Sequence, residues 1–263
     1  MKRSSFSVTL MVVLFAVGLL FAVSSEAKID PDSVVGMWLF DEGEGDVAKD
    51  SSGNKNDGTL MNGPKWVDGK FGKALELDGK DDYVIVHIGA APQSITLEAW
   101  IYPTAGGIVF AEEGQQALDG GWYDSHMEVL STGEIKVGFW TGAMQGISLG
   151  KFSLNEWYNV VMTYDKSKNS IKGYVNGELR ESGTLAKQYP GDLWYAIGAR
   201  TATNLGEGRY FTGIIDKTAV YNVALSEEDV KQNYQAASAV FPAGKLTTTW
   251  ASVKKVDKGF GLE

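Results

Sequence analysis

A short polar segment near the start of the chain has the residue types of a cation-binding loop. Asp50-Ser51-Ser52-Gly53-Asn54 brings a carboxylate, a side-chain amide oxygen and backbone carbonyls into one tight stretch. Calcium takes roughly six to eight oxygen ligands in a flexible cage, so Asp50 and Asn54 are candidate calcium ligands that need a further carboxylate from elsewhere. The alternative is that these side chains bond to their own backbone and only shape a turn.

Aromatic residues beside glycines indicate a sugar-binding surface. Trp122 and Tyr123 follow two glycines, and Trp140 precedes a threonine and a glycine. An exposed aromatic ring stacks against the C–H face of a pyranose while polar neighbours bond its hydroxyls. The polar candidates are Asp119, Asp124 and Gln145. The competing role for each ring is burial in the core, where most aromatic side chains contribute stability.

Paired carboxylates are the third candidate chemistry. Glu76-Leu77-Asp78-Gly79-Lys80-Asp81 superficially resembles the E-x-D-x-x-E signature of sandwich-fold glucanases. In those enzymes the acids alternate along one strand and share a face, whereas the glycine and lysine here favour a turn. The chain has two histidines, of which His87 is expected to be structural and His126 to be a solvated loop residue. No catalytic residue is therefore predicted.

Composition limits the partners and the chemistry. The 263-residue chain has a net charge of −9 and no cysteine. The absence of cysteine excludes disulfides, thiolate catalysis and thiolate zinc sites from this sequence. The acidic balance argues against nucleic acid and anionic lipid as partners.

The N-terminal segment has the pattern of a secretory signal peptide. Lys2 and Arg3 precede an apolar run over Leu10–Val23, and small residues follow at Ser25-Glu26-Ala27. The alternative, an uncleaved membrane anchor, needs about 20 apolar residues. Residues 1–27 are thus predicted to be removed, which leaves a secreted, periplasmic or surface-attached protein without a membrane span.

The elements that must position these residues are short strands joined by tight turns. Ser94–Ile101 alternates with period two, which predicts a strand, and strands are also expected over Ile108–Glu112 and Met127–Trp140. A long loop is predicted over Gln115–His126. Trp157–Tyr164 and Ser170–Val175 form a predicted hairpin, and the Asn-Gly pair that follows favours a turn with positive φ.

One short helix is expected near the end of the domain, from about Glu227 to Ala236. Ser226 is a good N-cap, and Asp229 stands three residues later as in a capping box. Leu225 and Val230 occupy the positions of a hydrophobic staple around that cap.

Five motifs follow one another along the chain: W-L-F-D-E-G at Trp38–Gly43, D-S-S-G-N at Asp50–Asn54, G-T-L at Gly58–Leu60, F-G-K-A-L-E-L-D-G-K-D-D-Y-V-I-V at Phe71–Val86, and I-I-D-K-T-A-V-Y-N-V-A-L-S at Ile214–Ser226. In this order they resemble the laminin-G-like domains of the concanavalin A-like lectin/glucanase superfamily. The resemblance implies an all-β, two-sheet antiparallel jelly-roll sandwich with one short C-terminal helix. The sandwich would cover residues 34–235 and leave a tail over 236–263 of unassigned role.

The resemblance also implies where a cation and a ligand would bind. Matching aspartates in the family often hold a structural calcium, and Asp216 lies in the closing strand that a jelly roll returns beside the first one. The expected function is a secreted, non-catalytic module that binds an extracellular glycan or glycoprotein. The alternatives are an adhesion protein whose partner is another protein and, less favoured, a polysaccharide-degrading enzyme.

Overall fold

The computed structural model describes residues 29–116, 118, 123–140, 144–186, 191–200 and 210–239. The predicted leader, 1–27, and residues 240–263 of the predicted tail lie outside them. The described residues form a 3-10 turn (Pro31–Ser33), sixteen strands and one α-helix. The elements are β1 (Val34–Trp38), β2 (Val47–Ala48), β3 (Gly58–Met61), β4 (Lys65–Asp68), β5 (Lys73–Asp78), β6 (Tyr83–Ala90), β7 (Ile95–Pro103), β8 (Gly107–Glu113), β9 (Tyr123–Val129), β10 (Glu134–Trp140), β11 (Met144–Lys151), β12 (Tyr158–Asp165), β13 (Ser170–Val175), β14 (Glu178–Thr184), β15 (Asp192–Ile197), β16 (Thr212–Tyr221) and α1 (Glu227–Ala239).

The strands form two antiparallel sheets that pack face to face. Sheet A has the order β14-β13-β12-β7-β16-β5-β4, with β1 also paired to β16, and sheet B has the order β11-β10-β9-β8-β15-β6-β3-β2. Neighbours that are distant in sequence, such as β7 and β16, pair directly, as in a jelly roll. The predicted all-β sandwich with a single short helix is confirmed.

The core lies between the sheets, and β7 shows how the sequence builds it. Its alternating apolar residues Ile95, Leu97, Ala99 and Ile101 are fully buried in the central hydrophobic cluster. The other face of β7 is also covered, because Trp100 stacks on Tyr234 of α1 with ring centroids 5.6 Å apart. β7, which lies between β12 and β16 in sheet A, is therefore covered on both faces.

The turn and cap signals form the structures that they predict. Asn176 and Gly177 have φ values of +54° and +77°, which is the pair of positive φ angles that a tight hairpin turn requires. Ser226 Oγ accepts from Asp229 N at 3.1 Å, and Asp229 Oδ2 accepts from Ser226 N at 3.0 Å. The helix runs to Ala239, three residues beyond the predicted end, because alanines continue the helix.

Glu98 joins β7 to the helix in a buried polar network, which gives the fold a pH dependence. Its carboxylate accepts from Asn159 at 2.9 Å and from Asn233 of α1 at 3.1 Å. Burial raises the pKa of Glu98 above its usual value of 4.5, although these donors oppose the shift. The folded state therefore binds the proton more tightly than the unfolded state does, so this group's contribution to stability is largest at low pH and falls as pH rises through the raised pKa.

Glu98→Gln is accordingly expected to flatten the pH dependence of stability. The wild type should lose stability relative to the variant as the pH rises above 4.5, because only the wild type must ionise a buried carboxyl. Urea unfolding across pH 4–8 measures this. Parallel stability curves for the two proteins would contradict the prediction.

No helix in the described ranges is long and apolar enough to cross a bilayer.

Candidate functional site

Four ionisable side chains from β8, β9 and β15 meet inside the sandwich on the core side of sheet B. Glu112 of β8 and Asp124 of β9 stand opposite each other in the antiparallel pair, and Tyr195 of β15 stands beside Glu112. The register shifts between Phe110 and Ala111, so that β9 carries an extra residue at His126. This β-bulge turns His126 toward the core, as bulges commonly re-aim a side chain. We call Glu112, Asp124 and His126 the buried triad.

The members of the buried triad are 0–2 % exposed, and their ligand atoms lie within 4.8 Å of one another. His126 Nε2 is 3.1 Å from Glu112 Oε1, and His126 Nδ1 is 3.2 Å from the carbonyl oxygen of Gly138. The hydroxyl of Tyr195 donates to Glu112 Oε1 at 3.1 Å. Burial, followed by the charge of Glu112, raises the pKa of Tyr195 well above 10 and keeps it a hydrogen-bond donor.

The sequence-based prediction for this segment is wrong in two respects. β9 begins at Tyr123, so the end of the predicted loop over Gln115–His126 is a strand. His126 is fully buried and is not a solvated loop residue. The reason is that Asp124 and His126, two inward-facing polar residues, hide the apolar alternation by which a strand is recognised.

A polar groove lies on the opposite, outer face of sheet B. It has a volume of about 360 Å³. Its lining residues come from β9, β10 and β11: Ser125, His126, Glu128, Glu134, Lys136, Val137, Gly138, Gly146 and Ser148. We call it the outer groove.

The outer groove combines acidic and basic hydrogen-bonding side chains with a stretch of sheet formed by two glycines. Glu128 and Lys136 face each other across the β9–β10 pair, and Ser148 donates to Glu134 at 2.6 Å. Gly138 and Gly146 are direct partners in the β10–β11 pair, so neither residue of this pair places a side chain above the sheet. Burial raises the pKa of Glu128 above 4.5, and the charge of Lys136 opposes that shift.

The predicted ligand-binding residues lie around this part of sheet B. Trp122 is outside the described residues. Tyr123 begins β9 and Trp140 ends β10, and because these strands are antiparallel neighbours, both positions lie at the same end of the sheet. Asp124 faces inward and is 2 % exposed. A ligand-binding role for these four residues stays a prediction.

Asp50 is surrounded by donors in the loop where calcium is predicted. Its Oδ1 accepts from the backbone N–H groups of Met37 and Ser52 at 3.0 and 2.8 Å. Its Oδ2 accepts from the Ser52 hydroxyl at 2.8 Å and from Asn56 N at 3.0 Å. Asn54 donates through its amide to the carbonyl of Val34 at 2.7 Å. These bonds occupy the roughly four lone-pair positions of a carboxylate and match the alternative in which the loop is shaped by its own side chains.

Asp216 has a different environment. It is fully buried in β16, and its Oδ2 accepts from Phe71 N at 2.9 Å. Its Oδ1 has no hydrogen-bond partner among the described residues. Burial and, to a smaller extent, the charge of Asp41 raise the pKa of Asp216 to about 6, although the Phe71 N–H and the charge of Lys217 lower it. A buried carboxylate oxygen that accepts no hydrogen bond, beside a second carboxylate, fits a cation ligand.

A turn interrupts the glucanase-like pattern, as its glycine and lysine predict, so that Glu76 and Asp78 lie on β5 and Asp81 lies beyond it. β5 ends at Asp78 and β6 begins at Tyr83. Asp78, Asp81 and Asp82 come within 4.8 Å of one another around this turn, and Lys80 pairs with Asp78 at 3.1 Å. They do not alternate along one strand.

Solved structures share this architecture at low sequence identity. Domain 4 of AbnA, a GH43 extracellular arabinanase from Geobacillus stearothermophilus in complex with arabinotriose, matches with a TM-score of 0.59 and 19% identity over 76% of this chain and 97% of that chain. The binding domain of Paraclostridial Mosquitocidal Protein 1 matches with a TM-score of 0.57 and 19% identity over 78% of this chain and 52% of that one. Trypanosoma rangeli sialidase in complex with sialic acid matches with a TM-score of 0.57 and 15% identity over 79% of this chain and 33% of that one.

No curated protein matches the chain significantly. A family model described as concanavalin A-like lectin/glucanases superfamily matches residues 78–231, more than half of the sequence. That segment runs from the end of β5 into α1 and includes the buried triad and the outer groove. The chain therefore belongs to the concanavalin A-like lectin/glucanase superfamily, as a laminin-G-like domain.

Proposed function

We propose that this chain is a secreted, non-catalytic module that binds an extracellular glycan or glycoprotein at the outer groove. The observation that carries the proposal is the groove itself, in which carboxylates, a lysine and a serine surround the flat floor at Gly138 and Gly146. Sugars present several hydroxyls on a ring, and each hydroxyl both donates and accepts. Glu128, Glu134 and Lys136 offer the matching acceptors and donor.

The comparisons with solved structures support a binding role without identifying the ligand. The arabinanase match spans nearly the whole of a separate domain whose structure contains arabinotriose. The mosquitocidal protein match and a receptor binding domain of botulinum neurotoxin D are also named as binding domains. The toxin domains favour the second candidate, an adhesion protein whose partner is another protein. In that case the purified chain would bind a protein and no sugar on a glycan array.

A bulky side chain in the outer groove is expected to abolish glycan binding. Ser148 is exposed at the groove, so Ser148→Trp would fill it without entering the core. A glycan array that includes arabino-oligosaccharides identifies a ligand, and calorimetry then compares affinities. The matched control is Ser182→Trp, which places the same side chain on exposed β14 of the other sheet. Equal affinity of the two variants would exclude this groove as the binding site.

Calcium remains part of the proposal, and its support is Asp216. In the wild type, free calcium at 100 times Kd would stabilise the fold by about 2.7 kcal/mol, which is roughly 5–10 °C in Tm for a domain of this size. Asp216→Asn keeps the shape of the side chain and should remove the Tm difference between calcium and chelator. An unchanged difference in that variant would exclude Asp216 as a ligand, without bearing on glycan binding.

A further inference from the structure

The buried triad presents one nitrogen and two carboxylates to a common point in the core. The ligand atoms of Glu112, Asp124 and His126 all lie within 4.8 Å of one another. They come from two adjacent strands and face the core side of sheet B, and of the three only His126 also lines the outer groove. Neither Asp50 nor Asp216, the predicted calcium residues, belongs to this group.

The surroundings of His126 determine which ring nitrogen can serve as a ligand. Nδ1 lies 3.2 Å from the Gly138 carbonyl oxygen, which can only accept, so Nδ1 carries a proton and donates. Nε2 then faces Glu112 Oε1 at 3.1 Å. The contact is an ion pair when Nε2 carries a proton, and a metal ion bound to both atoms would take the place of that proton.

The neighbours of the triad resemble the outer hydrogen bonds of metal sites. A histidine that binds a metal usually donates its second nitrogen to a carbonyl or carboxylate, and ligating carboxylates accept hydrogen bonds in turn. Gly138 supplies the carbonyl for His126, and the Tyr195 hydroxyl supplies the donor for Glu112. Two buried carboxylates beside an imidazole offer the oxygen and nitrogen ligands that zinc takes in proteins.

We propose that Glu112, Asp124 and His126 bind a divalent transition-metal ion, with zinc as the fitting chemistry, inside the sandwich. An imidazole nitrogen combined with carboxylate oxygens suits zinc and its neighbours better than calcium, which takes oxygen ligands. Zinc–ligand distances of about 2.0–2.2 Å place neighbouring ligand atoms about 3.4 Å apart in a tetrahedral site. The 3.1 Å contact between His126 and Glu112 is close to that spacing. The ion would join β8 to β9 behind the floor of the outer groove.

Metal titration of the chelator-stripped full chain tests this. Zinc chloride is titrated by calorimetry, and cobalt(II) replaces zinc as a visible-absorption probe of the coordination shell. We expect one zinc per chain, no displacement by calcium, and a loss of at least 100-fold in zinc affinity for His126→Gln together with loss of the cobalt spectrum. Tyr195→Phe should weaken zinc binding by roughly 10-fold, because it removes only an outer hydrogen bond.

The chain contains its own matched control. Its second histidine, His87, is exposed and pairs with Asp192 at 2.9 Å, so His87→Gln should leave zinc affinity and the cobalt spectrum unchanged. Zinc binding that is lost in His87→Gln and retained in His126→Gln would overturn the proposal, as would a wild type that binds no zinc. If His126→Gln does not fold, Asp124→Asn decides, and an unchanged zinc affinity in that variant likewise overturns it.

Discussion

Asp50→Ala is expected to lower the free energy of unfolding by about 3 kcal/mol, both with calcium and with chelator. The Asp50 carboxylate accepts from three backbone N–H groups and one hydroxyl. An unsatisfied buried donor costs about 1–3 kcal/mol, and Met37, which supplies one of the donors, is 4 % exposed. Water can replace the carboxylate as acceptor for the more exposed donors, so the total loss of stability is smaller than four times the cost of one unsatisfied buried donor.

The same variant separates the two roles that the sequence leaves open for Asp50. Urea unfolding in calcium and in chelator gives the two free energies. An equal loss in both conditions means that the carboxylate shapes the loop, whereas a loss confined to calcium means that it binds the ion. Asp68→Ala is the matched control, because the exposed Asp68 carboxylate pairs with the exposed Lys73 ammonium at 2.7 Å, so its removal should change stability by less than about 0.5 kcal/mol. A wild-type stability for Asp50→Ala would contradict the prediction.

Gly213→Ala is expected to destabilise the fold by at least about 3 kcal/mol, since it combines backbone strain with a steric clash. Gly213 has φ +144°, and a Cβ there would lie 2.2 Å from the carbonyl oxygen of Tyr102. Gly213 lies in β16 between β7 and β5, paired with Pro103 and Leu77. Relief of the clash must therefore move strands in the middle of sheet A.

Gly191→Ala provides the control for Gly213. No atom of the described residues lies within 4 Å of the Cβ position of Gly191, and this substitution should change stability by less than about 0.5 kcal/mol. Thermal and urea unfolding measure both variants. Similar stabilities for the two would show that β16 can shift at this position without loss of packing.

Local signals predicted the frame of this domain well. The strand over Ser94–Ile101, the Asn176-Gly177 turn and the Ser226–Asp229 capping box each depend on residues within a few positions of one another, and all three are present. Hydrophobic periodicity and backbone preferences act over that range. The family resemblance supplied the order in which such elements join, and the two-sheet sandwich agrees with it.

The candidate sites were less predictable, because they depend on strand pairing. The outer groove requires β9, β10 and β11 to be neighbours, and β11 (Met144–Lys151) was not recognised, since its glycines and polar residues give no apolar alternation. The buried triad requires the β8–β9 register and the bulge at His126. Its support from Tyr195 comes from a residue 83 positions away from Glu112.

The sequence by itself determined a cysteine-free, acidic sandwich domain with a capped helix and a polar loop at Asp50–Asn54. The tertiary structure decided which polar residues face the core and which face the outer groove. A strand places successive side chains on opposite faces, so one extra residue in β9 reverses the direction of His126. That reversal is set by the hydrogen-bond register with β8, which residues adjacent in sequence do not determine.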